Sequence, residues 1–227
     1  MDMVGISLRE ALKGGGCPIC RLVEKFEDEE IETILYEHPN DPEVRKKFRE
    51  GLGLCPHHAW KILHKALSNP LLGPLGVAVI YEDVLRHYLE NPEESRPGEC
   101  FLCRLVEGKE RATVEAFAER LEDLLDEYQR SPSVLCRRHY QMLLRAVERE
   151  KPELAARLRE IQREKLRKLD ELMRAFIDSF DYRAERPATK EERESLRVGL
   201  EALVGRPFGR SESEGERKRK WGRWRLR

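Results

Sequence analysis

Residues 17–24 read CPICRLVE and residues 100–107 read CFLCRLVE, so that six of the eight positions are identical. A second pair of segments also recurs, since residues 54–58 read LCPHH and residues 135–139 read LCRRH. Each copy is therefore a CxxC motif followed, after a long insert, by a CxxH motif. All six cysteines of the chain belong to this duplicated pattern. An internal repeat of this kind indicates a duplicated structural unit.

The duplicated pattern predicts two metal sites of the Cys3His type. A CxxC turn brings two sulfurs to one ion, and a CxxH turn adds a third thiolate and an imidazole. Such a closed set of four ligands suits zinc and leaves no position for substrate, so we expect two structural zinc ions. The sequence does not determine whether each site forms within one copy or by exchange of halves between copies. The predicted ligands are Cys17, Cys20, Cys55 and His58 in the first copy and Cys100, Cys103, Cys136 and His139 in the second.

The cysteine pattern also admits other interpretations. Buried core cysteines would not preserve both motifs in both copies, and a disulfide framework would not explain the paired histidines. An iron–sulfur cluster or a CxxC that switches between thiol and disulfide would make the chain a redox protein. His57 is an alternative ligand to His58, but the second copy has Arg138 at the position of His57. Glu24 and Glu107 also recur, and we expect them to pack or to form outer hydrogen bonds.

The segments between and after the motifs predict an all-α fold. Amphipathic patterns predict helices over residues 21–36, 56–67, 73–89 and 101–129, and Asp41-Pro42 predicts the start of a short helix that ends at Gly51 and Gly53. We divide the chain into a first repeat (1–95), a second repeat (96–150), C-terminal helices that pack on the repeats (151–205) and a flexible basic tail (206–227). Cys55 and Cys136 are each expected to open a helix, whose N-terminal dipole favours the thiolate.

The C-terminal helices follow from two further patterns. The apolar spacing from Leu154 to Phe180 predicts one long helix that covers the duplicated module. A capping box at residues 187–192 predicts a last helix that ends at Gly205, with Leu196, Leu200 and Leu203 facing inward.

Composition and charge narrow the class of protein. The chain has 227 residues, of which 38% are charged, with 43 basic and 43 acidic side chains. We expect a cytoplasmic protein, because no apolar stretch is long enough to span a membrane and the N-terminus lacks a signal peptide. Asn and Gln together number six, which with the abundant charge is typical of a protein that works at high temperature.

The tail concentrates the positive charge. Residues 217–227 carry seven basic and no acidic side chains, so the preceding residues carry 36 basic against 43 acidic ones. A basic segment with interleaved tryptophans can displace counterions from a nucleic acid and stack on its bases, so a nucleic acid or the ribosome is a candidate partner. A membrane surface or another partner, or no binding role, are the alternatives. The candidate contact residues are Arg217, Lys218, Arg219, Lys220, Trp221, Arg223, Trp224 and Arg225.

The motifs resemble an uncharacterised prokaryotic family of domain-of-unknown-function proteins. The resemblance includes the paired CxxC and LCxxH segments, residues 180–183 (FDYR), and residues 191–205, and it extends over about residues 10 to 205. It implies the same eight metal ligands and no activity. No nucleophile motif, HExxH motif or open ligand set is present, so we expect a binding or scaffold module rather than an enzyme.

Overall fold

The computed structural model describes residues 2–183 and 186–207, and these residues form ten α-helices and no β-strand. The predicted all-α fold is therefore confirmed. None of the described helices is long and apolar enough to cross a membrane. The helices are α1 (Met3–Leu12), α2 (Pro18–Tyr36), α3 (Pro42–Glu50), α4 (Pro56–Ser68), α5 (Leu75–Glu90), α6 (Phe101–Glu119), α7 (Leu121–Arg130), α8 (Arg137–Val147), α9 (Pro152–Asp178) and α10 (Lys190–Val204).

The chain forms two compact units. Among the described residues, unit 1 comprises residues 2–24 and residues 109–206 apart from 184 and 185, and unit 2 comprises residues 25–108 and Pro207. Neither unit is a continuous segment, whereas the repeats defined by sequence are continuous. The divisions at residues 95, 150 and 205 describe the duplication of the sequence and stay a prediction.

In unit 1 the long helix α9 is the element against which the others pack. It contacts α7, α8 and α10, and α1 contacts α7. The long C-terminal helix predicted from residue 152 is thus confirmed, with Ala155, Leu158 and Ile161 on its buried face. Tyr128 of α7 is fully buried, and its hydroxyl accepts a hydrogen bond from the backbone N–H of Leu135 at 3.1 Å. This contact fixes the segment that leads into Cys136.

In unit 2 the helices surround an apolar core. Phe48 is fully buried, and its ring meets those of Tyr81 and Phe101 edge to face, with centroids 6.0 and 5.3 Å apart. Cys100 and Cys103 belong to the same core, so the first turn of α6 is held by apolar packing. Asp41 caps α3 as predicted, because its carboxylate accepts hydrogen bonds from the backbone N–H groups of Glu43 and Val44.

The predicted inward orientation of Leu196, Leu200 and Leu203 is wrong. These side chains are 55%, 64% and 67% exposed, and the buried face of α10 instead carries Ser195, Val198, Gly199 and Ala202 among others. A side-chain carbon at Gly199 would lie 2.5 Å from Sδ of Met173 in α9. Small residues therefore face α9 because the two helices approach closely. The capping box of Thr189 and Glu192 and the end at Gly205 are confirmed.

The predicted single helix over residues 101–129 is divided into α6 and α7 at Arg120. The guanidinium of Arg120 donates to the carbonyl of Ala116 at 3.1 Å and pairs with Asp2 at 2.9 Å. At the break a side-chain donor therefore binds one of the last carbonyls of α6. Helix α1, capped by Asp2, was not predicted.

Candidate metal centres

Two clusters each bring together three cysteines and one histidine. Site A consists of Cys17, Cys20, Cys136 and His139, all in unit 1, and site B consists of Cys55, His58, Cys100 and Cys103, all in unit 2. The eight predicted residues are therefore gathered into two quartets. Each quartet combines the CxxC motif of one copy with the CxxH motif of the other, which answers the question that the sequence left open.

Helix N-termini position all eight side chains. Cys17 and Cys100 directly precede α2 and α6, so that Cys20 and Cys103 lie on the first turn of each helix. Cys55 and Cys136 are the N-cap residues of α4 and α8, as expected. Each site therefore lies at two helix N-termini, whose partial positive charge favours thiolates.

The distances within site A match a single tetrahedral ion. Nδ1 of His139 lies 3.3 Å from the sulfur of each of the three cysteines, and the sulfurs of Cys20 and Cys136 are 3.7 Å apart. An ion at about 2.3 Å from sulfur and about 2.0–2.1 Å from nitrogen places tetrahedral sulfurs about 3.8 Å apart, and sulfur and nitrogen about 3.6 Å apart. The donor atoms of site A are thus close to the spacing that one ion requires.

Site B has the same internal geometry. Nδ1 of His58 lies 3.2 Å from Cys55, 3.5 Å from Cys100 and 3.4 Å from Cys103, and the sulfurs of Cys55 and Cys103 are 3.6 Å apart. A disulfide requires about 2.05 Å between sulfurs, and all six cysteines are free. The protein's own residues therefore fit two bound metal ions, one in each cluster.

The thiol groups also show why a cation suits these clusters. Contacts with Cys17 and Cys20 lower the pKa of Cys136, whereas contacts with Cys136 and Cys17 raise the pKa of Cys20. In site B, contacts with Cys103 and Cys55 lower the pKa of Cys100, whereas contacts with Cys100 and Cys55 raise the pKa of Cys103. Adjacent buried thiolates repel one another, so the protein's groups stabilise only some of them. A divalent cation would supply the charge that holds all three as thiolates.

A buried carboxylate contacts the outer nitrogen of each histidine. Oε1 of Glu110 lies 2.8 Å from Nε2 of His139, and Oε1 of Glu27 lies 3.0 Å from Nε2 of His58. Burial alone would raise the pKa of Glu110, but its contacts with His139 and Arg138 lower that pKa. Burial is likewise outweighed at Glu27, whose pKa is lowered by His57, His58 and Lys61. A carboxylate hydrogen-bonded in the way that Glu110 is to His139 fixes the tautomer and orientation of a metal-binding imidazole.

Sequence reasoning missed Glu27 and Glu110 although a signal was present. Both lie seven residues after the second cysteine of a CxxC motif, and a spacing of seven returns to the same helix face. The sequence predicts that Glu24 and Glu107 pack or form outer hydrogen bonds. Glu24 pairs with Arg206 instead of a histidine. His57, the alternative ligand, contacts Glu27 through Nε2 at 3.0 Å, and Arg138 contacts Glu110 at the equivalent position of the second copy.

The end of α10 covers site A. The carboxylate of Glu201 accepts a hydrogen bond from the backbone N–H of Cys17 at 2.7 Å. Gly205 has a positive φ of 76°, and a side-chain carbon there would lie 3.8 Å from the sulfurs of Cys20 and Cys136. The backbone of Gly16 also accepts a hydrogen bond from the N–H of Val134 at 3.0 Å, which ties the two half-sites together.

The turn before Cys55 in site B is built differently. Leu52 and Gly53 both have positive φ, 48° and 92°, and the N–H of Gly53 donates to the carbonyl of Phe48 at 2.7 Å. Cys55 is only half-buried, whereas the four residues of site A are at most 1% exposed. The two sites share ligand geometry but differ in what surrounds it. The predicted nucleic-acid contacts at residues 217–225 lie outside the described residues.

Comparison with known proteins relates the chain to a protein family. The chain is 30% identical over 118 residues to the uncharacterized 23.9 kDa protein in the xynA 3' region of Caldicellulosiruptor sp. (strain Rt8B.4). The match covers 48% of this chain and 55% of that relative, so it spans about half the relative's length. No solved structure matches the chain. Residues 1–96 and 81–208 each match one family of unknown function, and the chain therefore belongs to the DUF6062 family.

Proposed function

We propose that the chain is a structural zinc protein in which two zinc ions, one in site A and one in site B, hold the ends of helices together. The single observation that carries the proposal is the convergence of three sulfurs and one nitrogen within 4.8 Å in each cluster. Each ion would join the first turns of two helices that are distant in sequence. The role is that of a binding or scaffold module, without catalysis.

The donor set favours zinc over other metals. Three thiolates and one imidazole suit zinc, and four protein ligands complete its tetrahedral coordination, so no position is left for substrate. In an iron–sulfur cluster the protein ligands bind different iron atoms, which would spread the donor atoms farther apart than a single ion does. The close spacing in both sites therefore supports a mononuclear ion.

The energetic consequence would be large. Apparent binding free energies of structural zinc are about 10–16 kcal/mol per site, which matches or exceeds the whole stability of a typical domain, about 5–15 kcal/mol. Each unit contains one site, so the loss of one ion should be felt mainly in the unit that holds it.

Elemental analysis of the purified full chain tests the proposal. After dialysis against zinc-free buffer we expect two zinc ions per chain, and one in each of the variants Cys17→Ser and Cys100→Ser. His64→Ala, which changes an exposed histidine of α4, is the matched control and should retain both ions. Iron with visible absorbance would instead support the redox alternative, and a chain without metal would overturn the proposal.

The basic tail supports a second candidate function, contact with a nucleic acid. The observation that favours it is the set of seven basic residues and two tryptophans within residues 217–227. Binding of basic side chains to phosphates releases counterions, and this release is less favourable at higher salt. Affinity for RNA or DNA should therefore fall steeply from the lower to the higher of two salt concentrations. Removal of residues 211–227 should abolish this binding while zinc content stays unchanged. If the full chain and the chain without residues 211–227 bound RNA or DNA with equal affinity, the proposal would be contradicted.

A further inference from the structure

A third group of possible ligand atoms adjoins site B in unit 2. Nε2 of His57 and Nε2 of His58 each lie 3.0 Å from the same oxygen, Oε1 of Glu27. Two ligands bound at right angles, each about 2.1 Å from one ion, lie about 3.0 Å apart. The three side chains are therefore spaced so that one cation could bind all of them.

The outer nitrogen of His58 lacks a well-formed partner. His58 is fully buried, and although Oε1 of Glu27 is near its Nε2, the atoms do not have hydrogen-bond geometry. A buried ring nitrogen without a directed partner is unfavourable and calls for an explanation. A cation fits this arrangement. It would lie along the lone pair of Nε2, and the carboxylate oxygen can bind the same cation without lying on that line.

Only one oxygen of the Glu27 carboxylate, Oε1, faces the two histidines. Lys61 contacts the other oxygen of Glu27, Oε2, at 2.8 Å, so Oε1 is left to face the two histidines. Asp28 pairs with Lys61 at 2.8 Å and with Lys65 at 3.1 Å, so the ammonium beside Glu27 is shared with a second carboxylate. The side chain of His57 is 22% exposed, which gives an ion access and room for water ligands.

The second copy of the motif lacks this arrangement. His139 makes a directed contact of 2.8 Å through Nε2 to Glu110, and Arg138 occupies the position of His57. A guanidinium has no lone pair to offer a metal, so it can only neutralise the carboxylate. The two copies therefore provide one candidate site and one internal comparison without it.

We propose that Glu27, His57 and His58 bind a third divalent cation of borderline softness, such as zinc, with water completing its coordination. His58 then bridges two ions, through Nδ1 to the zinc of site B and through Nε2 to the third ion. The Nε2 proton is released to solvent when this ion binds. The proposal rests on the proposed zinc in site B, because that ion accounts for Nδ1. Two nitrogens and one carboxylate oxygen bind zinc less completely than site B does, so the third ion is the weaker one.

Equilibrium dialysis of the full chain against rising free zinc tests this inference. We expect two tightly bound ions and a third that binds at higher free zinc, with release of protons. The variant His57→Arg reproduces the residue of the second copy and places a guanidinium beside Glu27, so it should fold and retain two ions but not the third. His64→Arg, on the same helix, should bind all three.

The outcomes separate this inference from the proposed function. A wild-type chain that saturates at two zinc ions, or a His57→Arg variant that still binds three, would overturn the third site and leave sites A and B intact. Fewer than two tight ions would contradict the proposed function itself. Thermal unfolding of His57→Arg, measured with two ions bound, would show whether the variant is folded.

Discussion

Sites A and B contain the same ligands at nearly the same distances, yet their surroundings differ. In site A all four residues are buried and the end of α10 lies over the sulfurs, whereas in site B Cys55 is half-buried at the end of a turn with two left-handed residues. The ligand motif thus sets the coordination geometry, while the flanking segments set the exposure of the site. A duplicated motif can in this way produce two sites of unequal accessibility.

The largest expected effect comes from removing one sulfur. Cys136→Ser and Cys55→Ser should each lose one zinc on dialysis, and the free energy of unfolding of the affected unit should fall by about 10 kcal/mol. Cys136→Ser should be the more damaging change, because it leaves a hydroxyl in a fully buried position. Denaturant unfolding followed by circular dichroism measures the difference. A larger loss in Cys55→Ser would reverse the comparison.

The outer carboxylates should have the next largest effect. Glu110→Gln keeps an acceptor for Nε2 of His139 but removes the negative charge, and Glu27→Gln removes the negative charge beside His58. Loss of such outer contacts typically lowers metal affinity about 10–100-fold. Competition with a zinc-binding dye should show weaker binding at site A in the first variant and at site B in the second. Unchanged affinities would mean that the carboxylates do not support the ligands.

The metal ligands could be predicted from the sequence, but the pairing of the CxxC and CxxH motifs could not. The eight ligands were recognised because chemistry restricts metal ligands to few residue types at fixed spacing. The sequence left the pairing of the half-sites open, because spacing within each copy is compatible with pairing inside a copy and with exchange between copies. The pairing depends on contacts such as that between Gly16 and Val134, which are remote in sequence.

The helices show the same limit. Caps at Asp41 and Thr189 have local causes and were predicted, whereas the buried face of α10 was not. Leucines usually face a core, but the close approach of α9 at Gly199 reserves that face for small residues. Arg120, at the break between α6 and α7, likewise pairs with Asp2, which lies 118 residues away in the sequence.

A smaller effect is expected from glycines with positive φ. Gly205→Ala should destabilise unit 1, and Gly53→Ala unit 2, by about 1–2 kcal/mol each, because left-handed backbone is unfavourable for alanine. Gly53→Ala should cost more, since its new methyl group would lie 3.2 Å from the ring of Tyr81. Gly108→Ala, on α6 with nothing within 4 Å, is the control and should not destabilise the chain. Thermal unfolding provides the measurement.

The smallest expected effect is a difference in the rate of zinc release. A chelator should remove zinc from site B before site A, because Cys55 is partly accessible and site A is covered by α10. Release can be followed with a chromogenic chelator in wild type, Cys17→Ser and Cys100→Ser, where the remaining phase identifies the site. Faster release from site A would show that the exposure of the ligands does not control the rate of zinc release.

The pairing of half-sites is tested most directly by the zinc content of two double variants after dialysis. If CxxC of one copy joins CxxH of the other, Cys20→Ser with Cys136→Ser damages site A alone and should retain one zinc ion. Cys20→Ser with Cys55→Ser damages both sites and should retain none. The reverse result, no zinc in the first variant and one ion in the second, would contradict the exchanged pairing on which this account depends.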